Sequence, residues 1–200
     1  MKLLSPTLLR ATGAAVLALA ATAAQAHTGH GTHSLFEGLS HPFGLDHLLA
    51  MVAVGVWSVR ALPAHQTWRG PATFLLALVA GAMFGASGVS VPFLEQLIAL
   101  SVVLFGAMLV LSSQRVPTSL GLGLVAVAAT LHGLAHGAEA PASGFTAYAL
   151  GFVATTAALH CGGVVVGLGI RQFLARKATW ATASLGALCS GGGLYLFSQI

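Results

Sequence analysis

Apolar runs of membrane-spanning length, one after another, decide what this chain folds into. A helix needs roughly 20 mostly apolar residues to cross a bilayer. Six windows after residue 38 meet that need, at about 41–60, 71–90, 93–112, 119–138, 145–170 and 179–198. Pro42, Pro63, Pro71, Pro92, Pro117 and Pro141 fall at their ends, where proline starts or stops a helix instead of breaking its interior. Only 6% of the 200 residues are charged, against about a quarter in soluble domains. The sequence therefore predicts an all-α, polytopic integral membrane bundle of about six transmembrane helices set in a lipid bilayer. Soluble enzymes and disordered tails are excluded.

The first residues read as targeting information. Lys2 and Arg10 are followed by an apolar stretch from Ala11 to Ala24 and by Ala24-Gln25-Ala26, the small-x-small pattern that signal peptidase cuts. The expected organisation is a cleaved signal peptide over 1–26, a His-rich periplasmic segment over 27–40 and a six-helix transmembrane domain over 41–200. An uncleaved first anchor helix is the alternative, but the run is short and ends in small residues.

Cleavage leaves six basic residues, Arg60, Arg69, Arg115, Arg171, Arg176 and Lys177, all in alternate loops. With an exported N-terminus those loops face the cytoplasm, as the positive-inside rule requires. The expected location is the bacterial inner membrane, multi-pass, with both mature termini periplasmic. The sequence pI of 9.7 thus records topology, and the scattered basic residues form no patch for nucleic acid. Gly81/Gly85, Gly133/Gly137 and Gly163/Gly167 are spaced as small-xxx-small pairs that let helices approach closely. Cys161 and Cys189 lie in apolar segments, where they are expected to pack as small residues without forming a disulfide.

Nine histidines in so apolar a chain need a chemical reason. His41-Pro42-Phe43-Gly44-Leu45-Asp46-His47 opens the first span, and Met51 lies one turn below His47. A helix-start cluster, with His41 and Asp46 answering backbone donors and the helix dipole, is one reading. The other is a divalent-cation site, in which imidazole supplies a borderline ligand and the carboxylate offsets lost hydration. Met51 would add a soft contact, although a lone Met more often packs.

The fourth span ends with His132, His136 and Glu139 at i, i+4 and i+7, on one face if the helix continues that far. At ~1.5 Å per residue, His132, Asp46 and His47 all lie roughly 7 to 9 Å below the outer boundary. Glu95 sits near the rim and completes a cation-attracting mouth, or is simply solvated. His160, about 22 Å deep, is either an inner relay or a helix-to-helix hydrogen bond. His27, His30 and His33 form a tract suited to metal capture, or a processed tail.

These residues resemble the HupE/UreJ family of bacterial membrane proteins. The likeness rests on His41, Pro42, Gly44, Asp46 and His47, and on His132, Gly133, Ala135, His136, Gly137 and Glu139. His41 to His47 also reads as His-x4-Asp-His, similar to the signature of the broader nickel/cobalt transporter group, although this chain has fewer spans than that group usually shows. The family frequently has Phe where this chain has Leu131. The resemblance implies uptake of nickel or cobalt for hydrogenases and ureases.

The expected mechanism is a permease in which the outer acids and histidines capture Ni2+ or Co2+. His41, Asp46, His47, His132 and His136 then replace part of its water shell. The divalent ion is cargo, and no permanently bound cofactor is expected. No Walker-type Gly-Lys-Ser/Thr is present. A double charge moving inward gains ~4.6 kcal/mol per 100 mV, about three decades of concentration. Ligation needs neutral imidazole, so uptake is expected to weaken as pH falls through roughly 6.

Three other classes fit less of the sequence. A membrane metal sensor or store is compatible with the His-rich start. An intramembrane metalloenzyme would use His132-x3-His136, but Gly133 stands where the general-base Glu of His-Glu-x-x-His belongs. A haem carrier would have no need of Asp46 and Glu139.

Overall fold

The computed structural model describes residues 35–114, 116–140 and 144–200. The expected cleavage site, His27, His30, His33, Arg115 and Pro141 lie outside them. Among the described residues the chain is all-helical, with α1 Leu35–Ser40, α2 Leu45–Ala61, α3 Arg69–Ala86, α4 Leu94–Val110, α5 Thr118–Ala138, α6 Phe145–Phe173 and α7 Ala178–Phe197. Short 3-10 turns at His41–Phe43, Ala64–Gln66 and Ala175–Lys177 connect them. Each apolar window holds one helix, from α2 to α7, with ends shifted by a few residues, and α1 adds a helix within the 27–40 stretch.

Among the described residues, three stretches are long and apolar enough to cross a membrane: Ala64–Ala86, Thr118–Ala138 and Phe145–Phe173. The pair Leu35–Phe43 and Leu45–Ala61, bent by 73°, makes a fourth if it counts as one span. α4 is apolar but has 17 residues, about 26 Å of helix against a hydrocarbon core of ~30 Å. α7 has 20 residues, yet Gly191, Gly192, Gly193 and several hydroxyl side chains dilute its apolar content.

The helices associate as three pairs: α2 with α6 and α3 with α5 run parallel, and α4 with α7 runs antiparallel. α2 is the central element: Met51, Val54, Val56 and Trp57 are all buried against its neighbours. The outward faces display Leu76, Met83, Leu100, Val127, Leu150 and Leu188, a continuous apolar exterior of the kind that marks a membrane-facing surface.

Glycine explains how closely the pairs meet. Gly81 and Gly85 of α3 lie against the carbonyls of Thr130 and Leu134. In return Gly133 and Gly137 of α5 lie against the carbonyls of Leu78 and Ala82. A Cβ at any of the four would overlap a backbone atom, so the small-xxx-small pairs interlock as expected. Gly163 uses the same approach, with Val52 of α2. Cys189 is buried as expected, whereas Cys161 lies on the exterior, and both are free thiols.

Charge is sorted along the bundle axis. Consecutive long helices alternate in direction, so Arg60 at the end of α2, Arg69 at the start of α3, Arg171 at the end of α6, and Arg176 and Lys177 share one end. Glu37, Asp46, Glu95 and Glu139, the four acidic residues of the chain, share the other end.

Candidate metal centre

A break in the chain builds half of the site. Pro42 offers no N–H, and Gly44 is extended at φ −51° and ψ 142° as the N-cap of α2, so one straight helix cannot pass through this segment. The resulting elbow leaves His41 on its near side and places Asp46 and His47 in the first turn of α2. There the positive end of the helix dipole favours the Asp46 carboxylate. α1 is held back against α6, where Gly38 abuts the Tyr148 carbonyl and the Thr155 hydroxyl donates to the Leu39 carbonyl at 2.9 Å.

The end of α5 supplies the other half. His132 and His136 lie one turn apart, but α5 stops at Ala138 and Glu139 is its exposed C-cap. The expected single stripe also divides within α5, between His132 and His136. His41, His136 and Glu139 form one group whose ligand-type atoms lie within 4.8 Å of one another, and Asp46, His47 and His132 form a second on the same criterion.

Hydrogen bonds join the two groups. Asp46 Oδ2 lies 3.2 Å from His47 Nδ1, His47 Nε2 lies 2.6 Å from His136 Nε2, and His136 Nδ1 lies 3.1 Å from His41 Nε2. One set of neutral tautomers satisfies all three. His47 donates its Nδ1–H to the carboxylate, His136 donates Nε2–H to His47, and His41 donates Nε2–H to His136. A carboxylate backing a histidine in this way fixes the ring and leaves Nε2 basic, a recurrent arrangement at metal sites.

His132 is fully buried and stands outside that chain. Its Nε2 lies 2.8 Å from Ser101 Oγ on α4, and its Nδ1 has no hydrogen-bond partner among the described residues. Sequence reasoning missed Ser101. The available signal was that it is the single hydroxyl side chain of α4 and its one polar side chain beyond the first turn.

A cavity of about 60 Å3 opens between the groups, lined by His41, Asp46, His47, Glu95, His136 and Glu139 among others. It takes a few water-sized groups, the scale of an ion that has shed part of its shell. A larger space of about 420 Å3 shares Asp46 and Glu95 with it and extends to Tyr195 and Gln199. Glu95, in the first turn of α4, thus stands at the wall between them, where a rim acid was expected.

The remaining expected residues are placed apart. Met51 packs in the apolar core. His160 is fully buried on α6 and donates Nδ1–H to the Thr156 carbonyl at 2.9 Å. It belongs to neither group, and Phe74 lies between it and His132, with ring centroids 4.7 Å from His160 and 5.9 Å from His132. His160 Nε2 has no partner among the described residues.

Comparison with known proteins points the same way as the motifs. The chain is 39% identical over 174 residues to "Protein HupE" of Rhizobium leguminosarum bv. viciae, an alignment covering 82% of this chain and 88% of the relative. No solved structure matches the chain. The family described as HupE / UreJ protein matches residues 15–196, and the chain belongs to that family.

Proposed function

We propose that the chain is a secondary permease that takes up Ni2+ or Co2+ across the bacterial inner membrane, supplying hydrogenase or urease maturation. The HupE/UreJ family is associated with such uptake. The observation that carries the reading is the convergence of His41, Asp46 and His47 from the elbow with His136 and Glu139 from the end of α5 around one small cavity, with His132 grouped behind them with Asp46 and His47. Imidazole nitrogen with carboxylate oxygen suits a borderline divalent ion. The ion is cargo, and no resident cofactor takes part.

The proposed topology has six spans, α2 to α7, after a signal peptide cleaved at Ala26, with both mature termini periplasmic. Charge sorting supports it, because the basic end suits the cytoplasm and the acidic end then faces incoming cations. α4 spans by locally thinning the bilayer, at modest cost. The His27, His30 and His33 tract collects ions outside, Glu95 lies on their approach, and His160 serves the inward step, while Met51, expected to add a soft contact beside His47, packs in the core.

Transport is favoured over catalysis by a steric fact. Gly133 stands at the general-base position of a His-Glu-x-x-His site, and its α-carbon faces the Leu78 carbonyl with no room for a side chain. The test is initial flux of a panel of divalent metals into proteoliposomes, with and without an imposed potential. Ni2+ or Co2+ flux that rises with an inside-negative potential is expected, and Asp46→Ala, His47→Ala and His132→Ala should each remove it. Near-normal flux in all three variants would refute the proposal.

A further inference from the structure

We propose that Ser101 is a positioning residue of the metal site: its hydroxyl holds His132 as the Nε2–H tautomer and thereby makes Nδ1 the atom that meets the ion. The inference rests on the reading of His132 as a ligand and says which atom binds and what selects it.

Proton counting carries the argument. Ser101 Oγ lies 2.7 Å from the Ile98 carbonyl and 2.8 Å from His132 Nε2, and a hydroxyl has one proton to give. If that proton goes to Ile98, the oxygen still accepts Nε2–H from His132, and both polar hydrogens are used. If it goes to Nε2 instead, His132 carries its proton on Nδ1, a buried donor facing no acceptor among the described residues. Buried donors without partners are rarely tolerated, so the first arrangement prevails. It leaves an Nδ1 lone pair on a fully buried ring, in the group that contains Asp46 and His47.

The pattern parallels that of His47. There the far nitrogen donates to Asp46; here it donates to Ser101, which passes the bond to the Ile98 carbonyl. Metal-binding histidines are commonly backed in this manner. The Ser101 bond also crosses between helix pairs, from α4 to α5, so the ring is held by an element other than its own.

The experiment uses the full chain in lipid nanodiscs, with Ni2+ alone as the probe, and compares Ser101→Thr with Ser101→Val. The two are close in shape, but only Thr keeps a hydroxyl, and it too can bond the carbonyl one turn back. Affinity is expected to stay within about threefold for Thr and to fall about 10- to 100-fold for Val, the usual range for loss of a partner behind a metal ligand. Ser101→Ala should follow Val, which guards against a packing fault from branching. In metal-free protein labelled with 15N-histidine, the His132 signal, assigned by its loss in His132→Ala, should keep the Nε2–H pattern in Thr and lose it in Val. Equal affinities and an unchanged tautomer in Thr and Val would overturn the proposal, as would equal losses in both with the tautomer intact. Undiminished Ni2+ binding by His132→Ala would instead overturn the ligand reading, while the metal-free tautomer comparison would still decide what Ser101 does.

Discussion

The two groups of ligand-type residues touch, yet they are built differently. In the inner one, His47 is 3% exposed and His132 is fully buried, each ring has a polar side chain bonded to one nitrogen, and only the Asp46 carboxylate, 32% exposed, reaches solvent. In the outer one, His41 and His136 are half-buried and Glu139 is exposed, on a 3-10 turn, a last helical turn and a C-cap. Preorganised, dry ligands suit holding an ion that has lost water, because their geometry is fixed before it arrives. Reachable ligands suit exchange with solvent. On the proposed uptake reading, the outer group would capture the ion and the inner one retain it, a division that the following substitutions test.

Asp46 should show the largest effect. It is the one formal negative charge of the inner group, and a dication out of water without an opposing charge is strongly disfavoured. Asp46→Asn keeps the size and an acceptor for His47, so it isolates charge. Initial Ni2+ flux into proteoliposomes is expected to fall at least ~100-fold, at the upper end of what perturbing a ligand's surroundings costs. A loss no larger than that of an outer-group variant would end the division into capture and retention.

Gly133→Ala tests both groups at once without touching a ligand. The added Cβ would overlap the Leu78 carbonyl, so α5 must move off α3 and take His132 and His136 with it. Thermal unfolding in detergent should shift downward, and Ni2+ affinity should drop about 10-fold or more, since small misplacements of ligands are costly. Gly123→Ala, where an added Cβ meets open space, is the control and should change neither.

His41→Ala removes an outer imidazole and leaves the inner group whole. The expected loss is about 10-fold, seen as a raised KM with kcat nearly retained, because capture is weakened and retention is not. A fall in kcat with unchanged KM would place His41 in the holding step instead.

How much of this was legible in the sequence differs between the two groups in the same way. The apolar windows gave the helices because run length and proline placement are local properties. The glycine pairs gave the α3 and α5 contact because a missing Cβ is itself the contact surface. His41, Asp46 and His47 were readable as a cluster from spacing alone. The 73° elbow was not, because it depends on α1 docking against Tyr148 and Thr155 of α6, far along the chain. The stripe from His132 to Glu139 divided between two histidines of the same helix, because His41 on the far side of the elbow meets His136 while Asp46 and His47 group with His132. Ser101 carried no motif, and its role arises from a neighbour 31 residues away.

Glu139 should show the smallest effect and the most diagnostic one. Its carboxylate is exposed at the rim, where interactions are weakened by water and by salt over a Debye length of about 8 Å at physiological ionic strength. Glu139→Gln should lower uptake only about two- to fivefold in dilute buffer, through the rate of ion arrival. Raising the salt to about 0.5 M should slow the native protein toward the variant, because screening removes the attraction that the substitution has already removed. Asp46→Asn should show less of this convergence, since the Asp46 carboxylate is two-thirds buried and bonded to His47. Parallel salt profiles for native protein and Glu139→Gln would mean that Glu139 acts as a close ligand, and the boundary between capture and retention would then shift outward to include it.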